Sequence, residues 1–318
     1  MKFPVAYAAV NQNAAVRANS SSGGVFYLLA EYVISRGGVV FGARYNADWE
    51  VVHGYAESMD DAAAFMGSKY VQSRIGDAYT QARDFLKQGR LVLFSGTTCQ
   101  IYGLKAFLGK HYNNLITVDL ICHGVPSPKV WREYLQLRSG NRGIKSISFR
   151  DKTQGWLVFS LKIDFENGET HRKTLKEDLF MRGFLQDIYL RPSCYQCRFR
   201  GEHRNTDITL ADLWGCKTIA PDMFDDKGVS LVLVQSETGA DIWQAACSAM
   251  EIRELKTKEY QQFNKSLKTS VAQPGKRRKF WQDPSFENLE KLVLKKDSLP
   301  ERVLRKAKKA IKQLLKRV

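Results

Sequence analysis

The 318-residue chain is predicted to be an α/β protein: a mixed, mainly parallel sheet with flanking helices, an antiparallel strand insertion near 144–175 and a C-terminal basic amphipathic helix. Three observations predict it. Apolar runs of four to eight residues recur through the first 250 residues, helical periodicities fall between them, and a composition 44% hydrophobic and 26% charged supports a large core. The same composition excludes disorder and collagen-like repeats as descriptions of the whole.

Buried strands are read at Val39–Gly42, Leu91–Phe94, Leu115–Ile121 and Ser230–Val234. Helical spacing is read at about 25–36, 60–66, 76–88, 99–109, 128–138 and 238–249. The alternation breaks at Ile144–Phe149, Trp156–Phe165 and Thr170–Leu175, three strands in succession. Asn167-Gly168 between the last two is a hairpin signal, so that pair is expected to run antiparallel. A polar stretch at 257–298, with Gln273-Pro274-Gly275 followed by four cations, reads as a linker leading to short helices.

From Pro300 onward, Val303, Leu304, Ala307, Ala310, Ile311, Leu314, Leu315 and Val318 keep helical spacing among eight Lys and Arg residues, so 299–318 reads as a basic amphipathic helix. The charge is concentrated there. Residues 1–250 carry 29 Lys and Arg against 25 Asp and Glu, whereas 251–318 carry 20 against 8. An anionic membrane surface is the partner such a helix fits, and docking on the chain's own body is the alternative. Nucleic acid is not an expected partner, because the body is nearly neutral and aromatics are not interleaved with the cations of the terminal helix. No window holds eighteen consecutive apolar residues and Val5–Val10 is too short for an export signal. The expected location is cytoplasmic and peripheral, on the inner face of the cell membrane.

In that compartment six cysteines are thiols, redox groups or metal ligands rather than disulfides. Cys194-Tyr195-Gln196-Cys197 is a C-x-x-C pair whose tight turn points both sulfurs the same way, fit for zinc, for an iron–sulfur cluster or for a dithiol. Cys99 and Cys122 are the expected partners. Each follows a predicted strand, and ligands of an open α/β sheet gather beyond the carboxyl ends of its strands. Cys216 is an alternate ligand and Cys247 an apolar residue of a helix. Ligand type alone leaves zinc and iron–sulfur open.

Four loops carry small residues where backbone can approach a ligand. Ser20-Ser21-Ser22-Gly23-Gly24 precedes a helix near Val25, where exposed N–H groups fit phosphate or a plain N-cap. Gly67-Ser68-Lys69-Tyr70-Val71-Gln72-Ser73 adds a cation and an aromatic ring. Ser95-Gly96-Thr97-Thr98-Cys99-Gln100 and Ile121-Cys122-His123-Gly124-Val125-Pro126 each combine such a loop with a thiol.

With Asp207–Gly215, these motifs in this order resemble the coenzyme F420 hydrogenase/dehydrogenase beta-subunit family over roughly residues 5–250. The resemblance implies an iron–sulfur flavoprotein oxidoreductase carrying FAD and a 4Fe-4S cluster on residues 1–256. Cys99, Cys122, Cys194 and Cys197 would hold the cluster. Ser22, Gly23, Gly24, Gly67, Ser68, Lys69, Tyr70, Gln72, Ser73, Gly96, Thr97 and Gln100 would line the flavin site, with His123 and Lys69 as candidate catalytic residues. Electrons would pass between cluster, FAD and a small-molecule or deazaflavin-type substrate. Many relatives begin with a ferredoxin-like segment; nothing like it precedes Phe3, so a separate electron-donor protein such as a ferredoxin is expected. Thr98 stands where the family often has Pro. Short relatives commonly occur among genes for surface polysaccharides, which points to polysaccharide biosynthesis. The rival reading is a non-catalytic, zinc-stabilised family member that scaffolds a membrane assembly.

Overall fold

A computed structural model describes residues 3–294; the expected terminal helix at 299–318 lies outside the described residues. Among the described residues, eleven strands form two sheets. They are β1 (Val5–Asn11), β2 (Val39–Tyr45), β3 (Val51–Ala56), β4 (Val92–Thr97), β5 (Leu115–Leu120), β6 (Ile144–Asp151), β7 (Ser160–Phe165), β8 (Thr170–Thr174), β9 (Ile208–Asp212), β10 (Ser230–Val234) and β11 (Met250–Leu255). The large sheet has the order β11-β1-β10-β9-β5-β4-β2-β3, and β6-β7-β8 form a separate antiparallel sheet.

The large sheet is mixed, with its parallel pairings side by side: β2 with β4, β4 with β5, and β5 with β9. Antiparallel pairs flank them. Central strands buried on both faces need apolar residues at every position, which is why Val39-Val40-Phe41 and Val92-Leu93-Phe94 read as continuous runs. On one face the helix Val25–Ile34 buries Val25, Leu28, Leu29 and Val33. On the other, Ala78–Lys87 and Thr98–Leu108 bury Ala82, Leu86, Ile101 and Leu104 against Phe41 and Phe94.

β1, β3, β9 and β11 are elements the sequence reading leaves unassigned. β1 is rich in small residues, and Ala6, Ala8 and Ala9 are buried because β10 and β11 pair on its two sides. The strand expected over Trp156–Phe165 starts only at Ser160. Trp156 is drawn to the large sheet instead: its ring stacks on Trp214 at 5.2 Å, its indole N–H donates to Asp212 at 2.9 Å, and its backbone N–H donates to Asp226. Within 257–294, the helices Gly275–Gln282 and Phe286–Leu294 bury Phe280, Leu289 and Val293 in the core that also holds Trp131 and Phe180. Among the described residues no helix is long and apolar enough to cross a membrane.

Candidate functional site

The parallel register fixes the first half of the site. Thr97, the last residue of β4, lies opposite Leu120, the last residue of β5. Cys99 and Cys122 each stand two residues beyond those paired ends, so both leave the same edge of the sheet on adjacent strands. Gln100, the third residue of the helix Thr98–Leu108, accepts the Thr97 N–H at 2.9 Å and so caps the helix that carries Cys99.

The C-x-x-C pair arrives from elsewhere. Pro192 opens a 3-10 turn over Pro192–Gln196, Cys194 N–H donates to Arg191, and Cys197 N–H donates to Ser270 Oγ at 3.0 Å. Tyr195 anchors the turn, donating to the Asp187 carbonyl at 2.5 Å and accepting from Arg277 at 3.0 Å. The turn lies against the Cys122 loop through the Pro126–Leu190 bridge and the Arg191 N–H to Val125 carbonyl bond. Gly124, at φ 156°, permits this approach: a Cβ there would stand 2.7 Å from Leu190 Cδ1 and 3.4 Å from Cys194 Cβ.

All four predicted thiols, Cys99, Cys122, Cys194 and Cys197, line one cavity of about 1810 Å³. They sense one another. Burial pushes Cys122 up to about 12, and Cys194, Cys99 and Cys197 add to the rise while Arg200 opposes it. Cys194 is raised by burial too, with Cys99 and Cys197 adding, and the Val125 N–H and Arg200 opposing. Thiols raised in this way are poor thiolates without a cation or metal nearby, so Cys122 and Cys194 favour a positive charge beside them. Among the described residues, no three His, Cys, Asp or Glu side chains gather closely enough to hold a single metal ion. Cys216 is in the apolar core, donating to the Ala220 carbonyl, and Cys247 stands just past the end of the helix Glu237–Ala246 rather than within it, donating to the Gln244 carbonyl; neither lines the cavity.

The serine and glycine loops meet the thiols across the same space. Ser21 Oγ accepts from Ser68 N–H at 2.6 Å and from its hydroxyl at 2.9 Å, locking two loops together. Gln72 N–H donates to Pro126, and Gln100 donates to Ser73 Oγ at 2.8 Å, which joins them to the thiol segments. Ser22, Gly24, Gly67, Ser68, Lys69, Tyr70, Gln72, Ser73, Gly96, Thr97, Gln100 and His123 all line the cavity. Gly23 does not. It is buried between strands, and a Cβ on it would run into the Ala9 carbonyl and stand 2.8 Å from the Ser230 nitrogen, so glycine serves packing there.

Lys69 is half-buried, and its ammonium donates to the Met66 and Gly67 carbonyls at 3.0 and 3.1 Å. Burial lowers it to about 7. His123 Nε2 meets Asp187 Oδ1 at 2.6 Å, so its ring is oriented by a carboxylate.

The sequence reading misses several groups. Arg200 donates to the carbonyls of Cys122 and Ser266, and at 2.8 Å to that of His123, placing a guanidinium beside the thiols. Arg150 of β6 makes a bidentate bond to Asp212 at 2.9 and 3.1 Å and donates to Tyr70 at 3.0 Å. Burial is the largest single influence and opposes the Arg150 charge, but Asp212 and Tyr70 together outweigh it and raise the guanidinium above its usual value. Arg204 reaches Asp119, Thr98 and the Leu120 carbonyl, tying the segment after the C-x-x-C to the ends of β4 and β5. A signal for Arg200 existed in its position three residues after Cys197, but that spacing carries no chemistry of its own. Nine Lys and Arg line the cavity against two acidic residues, Glu50 and Asp212, so it suits anionic groups.

A family model for the C terminus of the coenzyme F420 hydrogenase/dehydrogenase beta subunit matches residues 89–260. That span holds all four cavity thiols, while the Ser20–Gly24 and Gly67–Ser73 loops precede it. The chain is also similar in fold to a chain of the F420-reducing NiFe hydrogenase complex from Methanosarcina barkeri, studied by xenon derivatization, with a TM-score of 0.57 and 17% identity over 89% of this chain and 92% of that one. No curated protein matches.

Proposed function

The chain belongs to the coenzyme F420 hydrogenase/dehydrogenase beta-subunit family, a redox family, and from that premise we propose that it is an iron–sulfur flavoprotein oxidoreductase. One observation carries the proposal: four cysteines from three separated segments line one cationic cavity together with the Ser21–Ser68 and Lys69 loops. The donor set fits a 4Fe-4S cluster. In a cubane each thiolate binds a different iron, so the sulfurs ring a volume, whereas one zinc ion draws its ligands to a point. At about 1810 Å³ the cavity exceeds the roughly 300–1,000 Å³ of a drug-sized ligand site, leaving room for a dinucleotide and a substrate.

Cys99, Cys122, Cys194 and Cys197 would hold the cluster, and Ser22, Gly24, Gly67 to Tyr70, Gln72, Ser73, Gly96, Thr97 and Gln100 would line the FAD site. When bound, the pair supplies one-electron exchange at the cluster and two-electron, hydride-type exchange at the flavin. The protein's own groups do the rest. Arg200 offsets thiolate charge, Lys69 meets anionic parts of the dinucleotide or substrate, and His123, oriented by Asp187, holds a proton at the cavity wall. Electrons would reach the chain from a ferredoxin-type protein or a subunit partner and leave to a small-molecule or deazaflavin-type substrate, in polysaccharide biosynthesis. The basic 299–318 segment would seat the protein on an anionic membrane surface.

Anaerobic purification tests the reading. A brown protein with iron, acid-labile sulfide and releasable FAD is expected; a colourless protein holding zinc would overturn it and favour the scaffold role. For the tail, deletion of 299–318 is expected to abolish sedimentation with anionic vesicles, and unchanged binding would remove the membrane assignment.

A further inference from the structure

A continuous chain of hydrogen bonds ends at one of the four sulfurs. His53 Nε2 lies 3.1 Å from the Ser95 carbonyl, His53 Nδ1 2.8 Å from Ser73 Oγ, Gln100 Nε2 2.8 Å from the same Oγ, Gln100 Oε1 3.0 Å from Thr97 Oγ1, and Thr97 Oγ1 3.2 Å from Cys99 Sγ. Among the described residues, Cys99 is the one of the four whose sulfur has a side-chain hydrogen-bond partner.

The direction of each bond follows from what each atom can do. A carbonyl only accepts, so Nε2 carries the imidazole hydrogen. His53 is buried and stacked on Phe94, and burial lowers it to about 4, so Nδ1 is a bare acceptor. Ser73 must then donate to Nδ1 and accept from the Gln100 amide. Gln100 Oε1 thereby faces Thr97, where the backbone N–H already satisfies it at 2.9 Å. Thr97 has one hydroxyl hydrogen and two acceptors within reach. A sulfur bonded to iron carries no proton and retains negative charge, so it outcompetes an amide oxygen that has another donor.

We propose that Thr97 is a positioning residue that donates its hydroxyl hydrogen to the sulfur of Cys99 when that sulfur binds iron, and that Gln100, Ser73 and His53 hold it in place. The inference rests on the cluster reading above. A hydrogen bond to a ligating sulfur stabilises the more negative, reduced cluster, so Thr97 raises the cluster's reduction potential. Because His53 fixes the polarity of the chain, these residues orient and do not conduct protons.

The test uses the full-length protein purified without oxygen, with reduction potential read by electron paramagnetic resonance titration and Fe–S stretching read by resonance Raman in H2O and D2O. Thr97→Val is expected to lower the potential and lose the deuterium shift, and Thr97→Ser to restore both. Thr97→Val also removes part of a helix cap, so iron content and melting temperature are measured beside it. Ser73→Ala, which leaves the cap intact, is expected to shift the potential in the same direction by less. A loaded Thr97→Val protein with wild-type potential and deuterium shift overturns this inference alone, as does an unmoved Ser73→Ala if Thr97→Val does not load. A wild-type protein without iron overturns the cluster reading and this inference with it.

Discussion

At one wall of the cavity the working groups are side chains: four sulfurs arrive from three segments, braced by Arg200. At the other they are mostly backbone and small hydroxyls, held by bonds between loops such as Ser21 to Ser68 and by the deeper Tyr70–Arg150–Asp212 support. The first wall is discrete, since a ligand position is filled or lost. The second is distributed, so its changes act through fold stability or charge and should be graded.

The largest expected effect breaks the first wall. Cys194→Ala removes one of the four proposed ligands and is expected to abolish the proposed cluster, read as loss of iron and of visible absorption, while Cys247→Ala keeps both. A full iron complement in Cys194→Ala would remove the thiol wall from the account. Next is the support of the second wall. Asp212→Asn leaves Arg150 charged and buried and is expected to cost about 3–5 kcal/mol of unfolding free energy, measured by denaturant titration. Replacing both partners by apolar residues should recover much of that loss. A smaller loss follows at Gly23. Gly23→Ala forces a Cβ against the Ala9 carbonyl and should cost about 1–3 kcal/mol by overpacking. Because Gly23 does not line the cavity, flavin content per folded chain should stay at the wild-type level, which sharpens the division between packing and lining glycines.

The same division explains what could be read beforehand. Cys99 and Cys122 were legible because strand ends converge by topology, and a Val-Leu-Phe or Ile-Thr-Val run announces its strand end locally. Gly23 was not, because Ser-Ser-Gly-Gly looks the same whether the glycine faces a ligand or a neighbouring strand. Arg150 lies one residue past the strand expected at Ile144–Phe149 and has no local signal; only the arrival of Asp212 from β9 makes it a buried ion pair. Trp156 reads as strand for the same reason: its stacking on Trp214 is a long-range contact without a local signal. Asp187, Arg200 and His53 act through partners 20 to 78 residues away, beyond any spacing rule.

Lys69 offers the smallest and most graded test. Its amine, lowered to about 7 by burial, is largely neutral in the empty cavity at pH 9 and charged at pH 6. An anionic dinucleotide favours the charged form, so above about pH 7 binding must take up a proton, and FAD affinity should fall with rising pH by up to roughly tenfold per unit. Lys69→Met should flatten that slope, read by fluorescence titration of FAD between pH 6 and 9. Stability moves the opposite way. The unfolded chain keeps an ordinary lysine, so the cost of burying the ammonium is fully present below about pH 7 and is relieved as pH rises toward the usual lysine range. Flavin-free protein should therefore gain stability from this residue over an interval in which it loses flavin affinity. A wild-type protein whose FAD affinity has the same pH slope as Lys69→Met would leave the second wall to backbone and hydroxyl groups alone.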